Sequence, residues 1–281
     1  MKTISVLFLI FSAINFHCLA QDDLKDVYAW CIVPFDSKER SPEERIAMLK
    51  DLGISTYAYD WREKHVPEMV DEFNLARENK ITINAVWMWI DPKLDAVNKL
   101  SPNNEKLFEA IKKSNLKTTL WMSFSPDYLK GLADAEAIEK AANMVFYLYQ
   151  RCQELGCKIA LYNHGDWFGH PANQIKIIKQ LGRYDIGLVY NFHHAHHQME
   201  AFEKIARQMV PYLVAVNLNG MKRGGPKIYP LGQGEDENKM IEVLIDAGFH
   251  GPFGILGHKE DADVEIILKE NLEGYRKLIS Q

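Results

Sequence analysis

The chain has 281 residues, enough for one large domain or two small ones, and its 47% hydrophobic and 25% charged content is ordinary for a soluble globular protein with a sizeable core. A formal net charge of −5, with basic residues dispersed rather than clustered, argues against nucleic acid as the main partner, because phosphate binding needs a basic surface.

The first residues read as a targeting segment. Lys2 gives a positive start, an apolar stretch over 6–14 is too short to span a bilayer, and Cys18-Leu19-Ala20 places small residues before polar Gln21-Asp22-Asp23. The expectation is a signal peptide over 1–20, a folded domain over 21–281, and a secreted, periplasmic protein; a buried N-terminal strand is the alternative. No later segment is long and apolar enough to form a transmembrane helix. Three cysteines remain after such cleavage, Cys31, Cys152 and Cys157, an odd number that reads as buried free thiols rather than a disulfide framework.

From there apolar β-type runs alternate with helical patterns. A strand over 27–35 is followed by Ser41-Pro42-Glu43-Glu44, a capping box with proline in the first turn, which opens a helix ending at Gly53. A strand over 54–59 precedes a helix over 67–79, and a strand over 81–89 precedes a helix over 104–114. The fourth pair is 118–124 and a long helix over 133–155, stopped by Gly156. The later pairs are 158–162 with 172–181, 186–190 with 199–209, 213–217 with 237–247, and 252–256 with 264–278. Eight strand–helix units in a chain close to the ~250 residues typical of the fold predict an α/β protein, a single (β/α)8 TIM barrel, without a second domain.

In such a barrel the carboxyl ends of all strands share one face, where the chemistry sits. Four successive strands here end in Asn or His: Asn163-His164, Asn191 followed by His193, His194, His196 and His197, Asn217 with Asn219, and His258. Because successive strand-end residues point in alternate directions, at most two of the four clustered histidines face a common site, His194 first and His193 second. Asp60 and Arg62 end the second strand, either as a surface ion pair or as a grip on sugar hydroxyls. Trp87, Trp89 and Trp121 serve either as barrel packing or as rings against which a sugar face stacks. Asn163 reads equally well as a turn residue. Asn217 and Asn219 are read on one face of the seventh strand, and Lys222 beyond them as a proton donor or an anchor for a substrate oxygen. Patterns for a serine hydrolase elbow, a P-loop, a zinc protease or a dinucleotide-binding turn are absent, so no nucleotide cofactor is expected.

The segments 160–165, 186–196, 229–235 and 251–258 resemble the xylose-isomerase-like barrel superfamily of sugar isomerases, epimerases and endonuclease IV relatives, over essentially the whole mature chain. The resemblance implies a metal-binding carboxylate cage, yet Tyr162 stands where the family usually has a strand-five Glu, Asn191 in place of a strand-six Asp, Asn217 in place of a histidine, and Gly257 or His258 in place of the last Glu. Hard cations prefer carboxylate oxygen and imidazoles suit softer metals. The expected metal, where one is kept, is therefore divalent (zinc, cobalt, nickel or manganese) on His164, His194 and His258.

Together these residues point to an isomerase, epimerase or lyase acting on a neutral keto-sugar or glycoside, a small-molecule partner, by proton abstraction next to a carbonyl. His164, His194, Lys222, Asp60 and His258 are assigned to the chemistry, and Arg62, Trp87, Trp89, Trp121, Asn163, Asn191, Asn217 and Asn219 to the substrate. A metal-assisted hydrolase and a noncatalytic carbohydrate-binding barrel remain the alternatives.

Overall fold

The computed structural model describes residues 24–183 and 185–280, so the export signal expected over 1–20 lies outside the described residues. Eight parallel strands close into a barrel in chain order, each followed by a helix, which is the predicted (β/α)8 architecture. The strands are β1 (Val27–Trp30), β2 (Thr56–Tyr59), β3 (Thr82–Ile90), β4 (Thr119–Phe124), β5 (Lys158–Tyr162), β6 (Gly187–Asn191), β7 (Leu213–Leu218) and β8 (Phe253–Leu256). The helices are α1 (Pro42–Asp51), α2 (Met69–Glu78), α3 (Pro102–Ser114), α4 (Asp134–Glu154), α5 (Pro171–Leu181), α6 (Phe202–Met209), α7 (Glu237–Asp246) and α8 (Val264–Ile279). Among the described residues no helix is long and apolar enough to cross a membrane.

Local chemistry explains the helix starts. Ser41 Oγ accepts from the Glu44 amide at 3.3 Å while Glu44 Oε2 accepts from the Ser41 amide at 2.9 Å, so the predicted capping box opens α1. The α1 and α2 helices are joined beneath the surface by Arg45 and Glu72, 2.7 Å apart, and Glu72 also accepts from the Tyr57 hydroxyl at 2.9 Å. Cys31, Cys152 and Cys157 are free and buried.

Period-two alternation divides each strand between two cores. Outward residues such as Tyr57, Val86, Met88 and Ile255 pack under the helices. Inward residues form a separate cluster in which Tyr28, Trp30, Trp121 and Tyr162 share the barrel interior with Ala58, Ala85, Ala160 and Ala215. Four small residues leave the width that four large aromatic rings need. Trp121 therefore lies 1% exposed within this layer, 5.1 Å from the Trp30 ring and 5.7 Å from Tyr28, rather than against a ligand as the sequence suggests. Gly254 completes the fit: a Cβ there would collide with Asn217 Oδ1 and lie 2.5 Å from the Tyr28 ring.

Candidate functional site

Above the aromatic layer, at the carboxyl ends of the strands, the barrel opens into a cavity of about 210 Å³. Its wall takes Trp30 and Cys31 from the end of β1, Asp60 and Arg62 from β2, Trp87 from β3, and Tyr162 and His164 from β5. The opposite side is Asn191, His193 and His194 after β6, with His258 after β8 and Lys227 from the long loop after β7.

The histidines form a continuous chain. The His164 and His194 rings are 4.3 Å apart between centroids, His194 and His193 4.6 Å, and His193 and His258 5.3 Å. Residues far apart in sequence thus meet on one wall, with His193 bridging the expected His194 to His258. Strand alternation places His193 behind His194, but the chain leaves β6 in a 3-10 turn over Phe192–His194, and alternation does not apply to a helical turn. Burial, reinforced by the Lys227 ammonium, pushes His164 down to about 4 and His193 to about 3. Burial and the neighbouring His164 and His193 rings drive His194 lower still. The wall is therefore neutral near pH 7. His258 lies against Phe35, its ring centroid 3.6 Å away, and its Nε2 is 3.0 Å from Glu260 Oε1.

Asp60 faces this wall across the cavity. It is 2% exposed, its Oδ1 accepts from the Val33 amide at 3.4 Å, and its Oδ2 has no hydrogen-bond partner among the described residues. Burial raises its pKa to about 6 against the opposing pull of Arg62. The Arg62 guanidinium lies over the Phe35 and Trp87 rings, at 5.3 and 5.7 Å from their centroids. Beside it Cys31 holds a left-handed backbone with φ of 58°, a conformation costing a non-glycine residue about 1–3 kcal/mol.

Hydrogen bonds fix the floor. Asn191 Oδ1 accepts from the His193 amide at 3.0 Å, which orients the side-chain amide so that Nδ2 donates to the Tyr162 hydroxyl oxygen. Trp30 Nε1 donates to the same oxygen at 3.2 Å. Asn163 is not in the wall: it exchanges two hydrogen bonds with the Asn191 backbone, at 2.6 and 3.1 Å, and so holds the end of β6 against β5.

Other expected residues sit elsewhere. Asn217 is fully buried and accepts from the Tyr28 hydroxyl at 2.7 Å, so it belongs to the interior packing rather than to a wet, ligand-facing surface. Asn219 lies beyond β7, where its amide binds the Gly220 and Lys227 carbonyls and the Tyr229 amide, shaping the loop that delivers Lys227. Lys222 points to the surface and pairs with Glu235. Trp89 lines a neighbouring groove of about 530 Å³ with Trp61, Leu94 and Asn103, and this groove shares Arg62, Trp87 and His164 with the cavity. Trp30, Cys31 and Phe35 are cavity residues that strand-end logic, applied to β1, has the means to find. Lys227 carries no signal in the sequence, because it lies far along an irregular loop.

The residues present do not fit the divalent metal expected on His164, His194 and His258. Among the described residues no group of three His, Cys, Asp or Glu side chains is arranged to hold a metal ion. The donor chemistry agrees. The Tyr162 phenol is held protonated by burial, His258 is engaged by Phe35 and Glu260, and the Lys227 ammonium sits where a second cation would be repelled.

Residues 103–278 match the sequence profile of the xylose isomerase-like TIM barrel family, and the chain belongs to that family. Among solved structures it is similar to the IolI protein with a bound zinc atom, at TM-score 0.68 and 12% identity over 90% of this chain and 98% of that one. It is similar to the E. coli 3-keto-D-glucoside 4-epimerase YcjR, at TM-score 0.64 and 13% identity over 91% and 97%. The Clostridium cellulolyticum H10 D-psicose 3-epimerase solved with D-tagatose aligns at TM-score 0.63 and 14% identity over 90% and 99%. At these identities the likeness is one of fold. No curated protein sequence matches the chain.

Proposed function

We propose that the protein is a carbohydrate-active isomerase, epimerase or lyase that takes a proton from the carbon next to a keto-sugar carbonyl. The observation that carries this reading is Asp60, a buried carboxylate with a free Oδ2 in the same cavity as a wall of neutral imidazoles. Asp60 removes the proton, the C–H electron pair becomes the C=C bond of an enolate, and the carbonyl oxygen takes up the charge. Return of a proton to the opposite face of the same carbon gives the epimer; its return to the former carbonyl carbon, with the adjacent hydroxyl proton passing to the first oxygen, gives the isomer; and collapse of the enolate onto the β-carbon, with the leaving oxygen taking the proton held by Asp60, gives the elimination product. Polar donors lining the cavity stabilise the developing oxyanion. Arg62, held over the Phe35 and Trp87 rings, offers its guanidinium to sugar oxygens, and the groove beside Trp89 receives the remainder of a glycoside. Export, with removal of 1–20 and action in the periplasm, is part of the same proposal.

The loop cation Lys227 and Arg62 together favour a second substrate class within the same reaction, a keto-sugar bearing a carboxylate. The experiment is proton exchange in deuterium oxide, followed by NMR, over a panel of keto-sugars, keto-glycosides and their uronic-acid forms. Exchange next to the carbonyl is expected, and Asp60→Asn should slow it by about 100-fold or more while the protein stays folded. Failure of the wild type to exchange any member, or undiminished exchange in the variant, would sink the reading. Binding of the uronates at least about tenfold tighter than the neutral sugars, a difference of about 1.4 kcal/mol, would select the charged class.

A further inference from the structure

We infer that the Tyr162 hydroxyl is the hydrogen-bond donor to the substrate's carbonyl oxygen, and that Trp30 and Asn191 are positioning residues that aim it. This rests on the proton-abstraction reading above and adds the group that receives the charge.

The donors around the Tyr162 oxygen identify its free proton. An indole N–H only donates, so Trp30 Nε1, 3.2 Å away, occupies one lone-pair direction of that oxygen. The Asn191 side chain is a choice between N–H and C=O, and the His193 amide makes that choice: at 3.0 Å from Asn191 Oδ1 it requires an acceptor there, which leaves Nδ2 to face Tyr162. Two donors on one phenol oxygen leave its own proton without an acceptor among these neighbours. A buried hydroxyl with an unused proton is costly unless a ligand or water takes it. Tyr162 lines the cavity, where a ligand oxygen can take that proton.

The arrangement also suits the charge change. Two N–H groups on the phenol oxygen make it a stronger donor, because they stabilise negative charge shifted onto it as the enolate forms. Tyr162 belongs to β5 and Asp60 follows β2, so base and donor approach a bound sugar from different sides of the barrel. In the reaction the carbonyl carbon–oxygen double bond becomes a single bond and the oxygen charge rests against the Tyr162 O–H. When the proton returns to carbon the double bond re-forms and the hydrogen bond weakens. No oxidant or second substrate is required.

The test uses the whole protein and a methyl 3-keto-glucopyranoside labelled with 13C at the carbonyl. Binding to the wild type should move the carbonyl resonance downfield, and Tyr162→Phe should return it toward the free value and slow α-proton exchange about 100-fold, with affinity changed only a few-fold. Replacement of Tyr162 by 3,5-difluorotyrosine, which keeps the ring and makes the phenol more acidic, should move the resonance further downfield and so separates hydrogen bonding from a packing defect. A wild-type complex with no carbonyl shift, or a phenylalanine variant that exchanges at the wild-type rate, overturns the inference. A shift that depends on Tyr162 without any wild-type exchange supports the donor and overturns the proposed reaction. A probe that does not bind overturns the inference for this sugar, while exchange across the panel still decides the reaction.

Discussion

Asp60 carries its charge where burial disfavours it, and the pH dependence of the reaction should report that. Its pKa is raised to about 6, so the deprotonated base is lost as pH falls through that value, and kcat/KM should drop about tenfold per pH unit below it. An acid limb near the ordinary carboxylate value of about 4 would place the base elsewhere. His164 and His193 stay neutral to about 4 and about 3, so neither supplies a limb at 6. The donor set makes a separate prediction about metal. Prolonged dialysis against a strong chelator should leave exchange unchanged within about twofold, since lost metal ligands typically cost far more, about 10–100-fold even for their supporting shell. Stoichiometric zinc by elemental mass spectrometry, lost together with activity, would overturn that prediction. Asp60, Arg62, His164, His194 and His258 are readable from sequence because strand ends are readable. The roles of Asn163, Asn217 and Asn219 are not, because an Asn in a strand-end sequence looks the same whether it faces a ligand, a tyrosine or a neighbouring backbone.

Most strands and helices fall within a residue or two of the pattern in the sequence, because alternation and capping are local signals; among the strands β1 is the exception, ending at Trp30 where the pattern runs to 35, because Cys31 turns the chain into a left-handed backbone. The segment after β6 departs as well: 3-10 turns over Phe192–His194 and His196–Ala201 precede α6, and a run of histidines has neither the period of a strand nor that of a helix. The β3 strand lends Trp87 to the cavity and Trp89 to the groove, so Trp89→Ala should raise KM for a keto-glycoside about tenfold while leaving that of the free keto-sugar within about twofold. Equal effects on both would show that the groove does not receive the second ring. The α1–α2 contact holds a buried ion pair, Arg45 at 3% and Glu72 at 2% side-chain exposure. Glu72→Ala strands the arginine and should cost about 3–5 kcal/mol in urea unfolding. Changing both residues to apolar ones should recover most of that loss.

Across the whole molecule, acid should destabilise the fold before it destroys the helices. His164, His193 and His194 have folded pKa values below their unfolded ones, so unfolding takes up protons. Their contribution is complete above about 6.5 and is lost as pH falls from there, at about 1.4 kcal/mol per pH unit for each histidine that is protonated when unfolded and neutral when folded. Asp60 runs the other way, its folded pKa lying above the unfolded one, and offsets part of the loss between about 6 and 4. The melting temperature should therefore fall by several degrees from pH 6.5 to 4.5, and His164→Asn should flatten that slope. The closed barrel is legible because eight alternations admit few other folds; the wall of imidazoles is legible only as a set of strand ends, since Lys227 arrives through a loop whose course no periodicity gives. The layer beneath that wall limits what the protein can become. The alanines of β2, β3, β5 and β7, with Gly254, make the width that the four aromatic rings occupy. A larger side chain at Ala160, which shares this layer with Trp121 and Tyr162, would have to displace one of those rings. Pocket depth is thus set from below by small residues that no substrate touches, and through Tyr162 the same layer sets the height of the group that meets the carbonyl.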